Sequence, residues 1–189
     1  MHNEIMNFCR GIRMLSPKNF RGSRVLEVGS YVVNGSVREL FEACDYLGVD
    51  VTEGPGVDRV CPAHMLHEPD GSFDTVISTQ ALEHDMYYEK TVKEMLRMLK
   101  PGGLLVVTCA TGTSWEHGTP GHGENDSLTS KLPGEWSKHY HNVSENEFFR
   151  ALGKIPALIF SQWNLKIELN SAGSQDLLFY GIKLSEKES

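Results

Sequence analysis

The side chains best placed to do chemistry are two carboxylates at strand ends and a cluster of histidines. Glu27 lies two residues before Gly29 in "VLEVGSYVVNGS", at the C-terminal end of an apolar run. A carboxylate there suits an ammonium or hydroxyl group better than a phosphate. Asp50, followed by Val51, closes the next apolar run, "YLGVD". From such a position acidic residues bond both hydroxyls of a ribose in nucleotide folds. His117, His122, His139 and His141, half of the eight histidines, fall between Ala110 and Val143 together with Trp115, Trp136 and Tyr140. That segment is too long for an idle connector. Three of its histidines, His117, His139 and His141, are candidate general bases, the alternative being a polar surface loop with solvated imidazoles. No flanking cysteine or H-E-x-x-H spacing accompanies "HGTPGH" or "HYH", so no metal site is predicted.

A dinucleotide fingerprint needs three glycines so that the backbone can approach a pyrophosphate. Counting from Gly29, the second and third positions hold Tyr31 and Val33, whose side chains obstruct that approach. His84, in "LEH", starts a helix, and either packs and caps it or reaches a ligand. Glu83 beside it can bond the local backbone.

These residues need elements to hold them. Ile5, Phe8, Cys9, Ile12 and Leu15 recur at helical spacing and predict an N-terminal helix within residues 1–22, ended by Ser16-Pro17. Strands are predicted at Val25–Val28, Tyr46–Val51, Phe73–Ser78 and Leu104–Thr108. Ser36-x-x-Glu39 reads as a capping box opening a helix through Val37, Leu40 and Phe41, and Ser144-x-x-Glu147 as another through Phe148, Phe149 and Leu152. Val92, Met95, Leu96 and Leu99 mark a further helix, stopped by Lys100-Pro101-Gly102-Gly103. Only Thr52 to Gly56 separates the second strand from Val57–Cys61, too few residues for a helical crossover, so the third strand is a short edge piece or no strand at all. Leu165–Leu169 and Leu177–Ile182 flank a turn-rich stretch and predict a closing antiparallel hairpin.

The expected fold class is therefore α/β: a mostly parallel, Rossmann-like sheet with helices on both faces, a degenerate third strand and a C-terminal antiparallel hairpin. A chain of 189 residues is expected to be one domain. Its net charge of −7 disfavours a nucleic-acid backbone as partner, and no run approaches the ~20 apolar residues of a membrane span. Four cysteines without a C-x-x-C pair, and no apolar leader, predict reduced thiols and a cytoplasmic protein.

"LEVGS" with "LGVD", then "SFDTVISTQALEH", then "EMLRMLKPGGLLVVT" in that order resemble the class I S-adenosylmethionine-dependent methyltransferases, in particular the small type-11 group. The resemblance spans Val25 to Cys109. It implies S-adenosylmethionine as cofactor, with Glu27, Gly29 and Ser30 around its methionine half and Asp50 on its ribose. Thr79, Gln80 and Ala81 would line the methionine side, with His84 beside the cleft, and Ala63 and His64 would border the adenine. "SYVVNG" replaces the family's glycine loop and puts Tyr31 over the cofactor. Residues 110–143 then become a lid over a small or medium-sized acceptor, such as a sugar or secondary metabolite. A module that binds the cofactor without transferring methyl groups, and an NAD-dependent oxidoreductase, are the alternatives.

Overall fold

The computed structural model describes residues 3–123, 125 and 127–185. Met1 and His2 of the predicted N-terminal segment, and Glu124 and Asp126 of the predicted lid, lie outside the described residues. Seven strands form one sheet: β1 Arg24–Val28, β2 Asp45–Asp50, β3 Arg59–Val60, β4 Phe73–Thr79, β5 Leu99–Thr111, β6 Phe160–Leu169 and β7 Gln175–Lys183. Their order is β3-β2-β1-β4-β5-β7-β6. The first five pair in parallel; β7 runs antiparallel to β5 and to β6.

Apolar residues on both faces of the central strands bury the sheet between two layers. Helix α1 (Asn3–Leu15) sets Cys9 and Ile12 with Phe20 on Val25, Ile77, Leu104 and Val106. Helices α2 (Tyr88–Met98) and α3 (Glu145–Leu152) cover the other face, where Val92, Met95 and Phe148 pack on Leu26, Val76, Leu105 and Phe179. Lys183 donates from Nζ to the carbonyls of Leu96 (2.8 Å) and Leu99 (2.7 Å), satisfying acceptors left at the end of α2. The capping box at Ser144 is complete, with Glu147 reciprocating. No described helix is long and apolar enough to cross a membrane. All four cysteines are free thiols.

Two local expectations change. The helix expected after Ser36 is a single 3-10 turn, Val37–Leu40. Ser36 Oγ accepts the Arg38 amide, but Glu39 pairs instead with Arg10 at 3.5 Å. The chain is then pulled straight to the sheet, because Glu42 exchanges backbone hydrogen bonds with Phe20 and Gly22. Leu99, expected to end α2, opens β5 instead, with the Lys100–Gly103 stretch carried inside the strand. The third strand is the short edge piece: Val49 and Asp50 pair with Arg59 and Val60.

Candidate functional site

The strand order reverses between β1 and β4, and their C-terminal ends open the crevice where ligands bind in open α/β sheets. Gly29 has φ +76°, and a Cβ on it would stand 2.2 Å from the Ala81 Cβ. Only glycine allows the two strand ends to approach so closely. On the β4 side Gln80 takes φ +53°, a conformation uncommon outside glycine, fixed by its amide bond to the Thr108 carbonyl at 2.8 Å.

Two adjoining clefts result, sharing Gly29, Tyr31, Val33, Gln80 and His84. The first spans about 710 Å³ of space open to solvent. Its floor includes Val49, Asp50, Val51, Ala63 and Ala81, and Leu128, Thr129 and Trp136 form its outer wall. The second spans about 1260 Å³, open to solvent, between Glu27, Ser30, Thr79 and the segment carrying Ser114, Trp115 and His117, with Asn170 and Asp176 contributed by the β6–β7 hairpin. Residues 110–143 therefore wall both clefts. The base of this segment is stapled by the Val143 amide to the Ala110 carbonyl (3.0 Å) and the His141 amide to the Glu83 carbonyl (2.8 Å).

The carboxylates differ in their surroundings. Glu27 is buried and accepts the Tyr46 hydroxyl at 2.8 Å. Burial pushes its pKa up to about 7, against the lowering effects of that hydrogen bond and of Arg38. Asp50 accepts the amides of Tyr31 (3.0 Å) and Val51 (2.7 Å). Burial raises its pKa and backbone amides, Thr52 included, lower it. Tyr31 does not lie freely over the cleft: its ring packs on Gly54, where a Cβ would meet it at 2.0 Å.

The second cleft has an aromatic and imidazole wall. The His84 and His117 rings meet edge to face at 5.1 Å, and Tyr140 lies 5.0 Å from His117 and 5.6 Å from His84. Desolvation, with the nearby His117 and His139, pushes the His84 pKa down to about 3, so its ring is neutral. Glu83 is fully buried behind it. Burial raises its pKa to about 8, opposed by the backbone amides of Glu83 and Ala110 and reinforced by Asp176.

Of the three candidate bases, only His117 lines either cleft. His141 pairs with Glu147 at 3.1 Å and stacks on Tyr88, which makes it part of the α3 cap. His139 is half-buried, and desolvation lowers its pKa. His64 turns from the first cleft to pack at a tilt against Tyr87 at 4.4 Å and lines a separate depression with Glu94 and Arg97. Sequence inspection missed Tyr46, Asn170 and Asp176. Tyr46 carries no motif, and the other two come from a hairpin about 60 residues beyond the last parallel strand.

Residues 26–107 match a family profile described as a methyltransferase domain, type 11. A 72-residue stretch is 42% identical to 2-methyl-6-phytyl-1,4-hydroquinone methyltransferase of Synechocystis sp., covering 38% of this chain and 22% of that protein. The chain thus aligns with about a fifth of that relative's length. Among solved structures, 1,6-didemethyltoxoflavin-N1-methyltransferase of Burkholderia thailandensis, with 1,6-didemethyltoxoflavin and S-adenosylhomocysteine bound, superposes with a TM-score of 0.63 at 17% identity, over 95% of this chain and 78% of that one. Phosphoethanolamine N-methyltransferase 2 of Haemonchus contortus gives 0.60 at 16% identity, over 93% and 53%. The family match runs from β1 into β5, and the fold around it is the one these solved methyltransferases share.

Proposed function

We propose that the protein transfers a methyl group from S-adenosylmethionine to a small or medium-sized acceptor held in the second cleft. One observation carries this reading: two clefts meet at Gly29, Gln80 and His84, so a donor lying along the first would present its reactive end to a molecule in the second. When bound, the cofactor supplies an electrophilic methyl on a positively charged sulfur.

The residues present fit that group. Leu128, Ala63, Val49 and Trp136 offer an apolar slot for a purine. Asp50 keeps acceptor capacity beyond the amides it already binds, since a carboxylate has about four acceptor positions, and a ribose hydroxyl can use it. Glu27, past the Gly29 turn, faces the second cleft with a carboxylate suited to an ammonium group, and the buried Ser30 hydroxyl has no hydrogen-bond partner among the described residues.

In-line methyl transfer needs alignment and exclusion of water, with removal of an acceptor proton where there is one. Ser114 and Trp115 supply walls that align and desolvate, and His117, backed by Tyr140, is the segment's histidine that meets the acceptor. The relatives whose names give an acceptor act on a hydroquinone, a toxoflavin precursor or phosphoethanolamine, which supports a small-molecule substrate here. Transfer of labelled methyl from S-adenosylmethionine to a panel of phenols, sugars and amines tests the proposal. Calorimetric binding of S-adenosylhomocysteine with no turnover on any acceptor would leave a cofactor-binding module; tighter binding of NAD would overturn the cofactor as well.

A further inference from the structure

Glu83 and His84 leave the tip of β4, His117 lies in the segment after β5, and the fold brings the three together. Each offers one ligand atom, and these atoms all lie within 4.8 Å of one another. Glu83 is completely buried and His84 is 5% exposed. Neither Glu83 oxygen accepts a hydrogen bond of ordinary length and angle among the described residues, and the buried Nδ1 of His84 is likewise unpartnered. A buried carboxylate with no counter-ion is costly, and Asp176 nearby adds charge of the same sign. His117 is already oriented: Nδ1 lies 3.1 Å from the Trp115 carbonyl. A proton on Nδ1 shared with that carbonyl leaves the Nε2 lone pair free, the arrangement that second-shell carbonyls impose on metal-binding histidines.

We propose that Glu83, His84 and His117 form a binding site for a divalent transition-metal ion in the wall of the second cleft, whose open coordination positions take an oxygen of the acceptor. Two imidazoles and one carboxylate favour ions such as Zn²⁺, Co²⁺ or Mn²⁺ over Mg²⁺ and Ca²⁺, which prefer all-oxygen shells. At metal–ligand distances of about 2.0–2.2 Å, ligands on one ion stand roughly 3 Å apart. The trio therefore closes slightly on binding. His84 and His117 line the second cleft while Glu83 lies behind them, so the ion's open side faces the acceptor.

The choice of acceptor follows, and it rests on the methyltransferase reading: a hydroxyl, phenol or vicinal diol. In the transfer the acceptor O–H bond breaks and its proton passes to solvent. The oxygen's electron pair forms the new C–O bond, and the C–S bond breaks with its pair remaining on sulfur. The ion favours the first of these events by stabilising the oxyanion. His117 would then act on the acceptor through the ion rather than as the base.

Co²⁺ titrated into chelator-treated full-length protein, without cofactor or acceptor, tests the site by visible absorption and by calorimetry. One equivalent is expected to bind, with affinity falling at least 10-fold in His117→Ala, His84→Asn and Glu83→Gln and unchanged in His67→Ala, an exposed histidine elsewhere. His117→Ala is a loop change and keeps the test decisive where a buried variant fails to fold, as checked by circular dichroism. Absence of stoichiometric binding in the parent protein, or undiminished binding in His117→Ala, overturns the proposal. S-adenosylhomocysteine binding measured alongside separates the two readings. Cofactor bound without Co²⁺ refutes the metal site alone, whereas Co²⁺ bound as expected with no methyl transfer to any acceptor upholds the site and removes the enzymatic reading.

Discussion

The first cleft is floored by strand ends and the turns that leave them, the second is built largely by a loop and a hairpin. Val49 and Asp50 owe their places to parallel pairing, which fixes each by register with its neighbour, and Ala81 follows two residues past the end of β4. His117, Trp115 and Asp176 owe theirs to contacts between segments far apart in sequence. In the proposed reading the first cleft binds the cofactor and the second discriminates among acceptors, so substitutions in the two are expected to separate affinity from turnover. The sharpest separation is expected for His117→Ala. Turnover should fall about 10²-fold or more, the scale of losing a group that promotes loss of the acceptor proton, with S-adenosylhomocysteine affinity unchanged. His139→Ala and His141→Ala, outside the clefts, should each change turnover by less than a few-fold. Equal losses in all three variants would mean that the segment acts as one structural unit and that the clefts do not divide the work.

The mirror experiment is Asp50→Ala. Losing a carboxylate that serves both a ribose and the Tyr31 amide should weaken cofactor binding by about 1–3 kcal/mol while leaving the acceptor KM little changed. Calorimetry measures the first and steady-state kinetics the second. An unchanged dissociation constant would mean that Asp50 serves only to hold the loop.

The same contrast explains what could be read from the sequence. Val25–Val28, Phe73–Ser78 and Leu104–Thr108 are apolar runs long enough to announce buried strands, and Asp50 stands out as the only charge at the end of "YLGVD". The hairpin around Asn170–Ser174 followed from turn chemistry. Glu83 and His117 meet although 34 residues separate them, and no periodicity encodes that meeting. Tyr31 was legible as an obstruction to phosphate, but not that its ring would pack on Gly54, because that contact crosses from one loop to another.

Glu27 lines the second cleft, and its effect on stability has a definite sign. Its folded pKa, raised to about 7 from an ordinary value near 4.5, means that between these values the folded protein holds a proton that the unfolded chain has released. Stability contributed by the neutral form is present below the lower value and is lost as pH rises through the folded pKa. Glu27→Gln should therefore raise stability at pH 8 by about 1 kcal/mol or more, and flatten the pH dependence between roughly 4.5 and 7. The same variant should weaken S-adenosylmethionine binding, since the carboxylate that would meet its ammonium group is gone. Thermal melts from pH 4.5 to 8 check the first half; a variant that is less stable throughout this range would show that the Tyr46 hydrogen bond outweighs the cost of burying the charge.

The smallest expected effect comes from two matching sequence patterns, one in each half of the molecule. Ser36-x-x-Glu39 and Ser144-x-x-Glu147 both read as capping boxes, yet they lead to a single 3-10 turn and to a two-turn helix. At Ser144 the hydroxyl accepts the Glu147 amide and the Glu147 carboxylate accepts the Ser144 amide at 2.9 Å, so two orphan donors are satisfied at once. At Ser36 one amide is satisfied and Glu39 is drawn away toward Arg10. Ser144→Ala should therefore cost about 1 kcal/mol of stability, the usual scale for losing an N-cap, and Ser36→Ala only a few tenths, because so short a turn has little helix to lose. Denaturant unfolding of the two variants resolves the difference. Equal losses would mean that the turn after Ser36 continues as a helix in solution and that the short connection from β1 to β2 is not fixed by the Glu42 hydrogen bonds. The contrast would also carry a functional consequence. Ser36 lines the second cleft, whereas Ser144 begins the helix that supports the 110–143 segment through His141 and Glu147, so Ser144→Ala should loosen that segment and raise the acceptor KM.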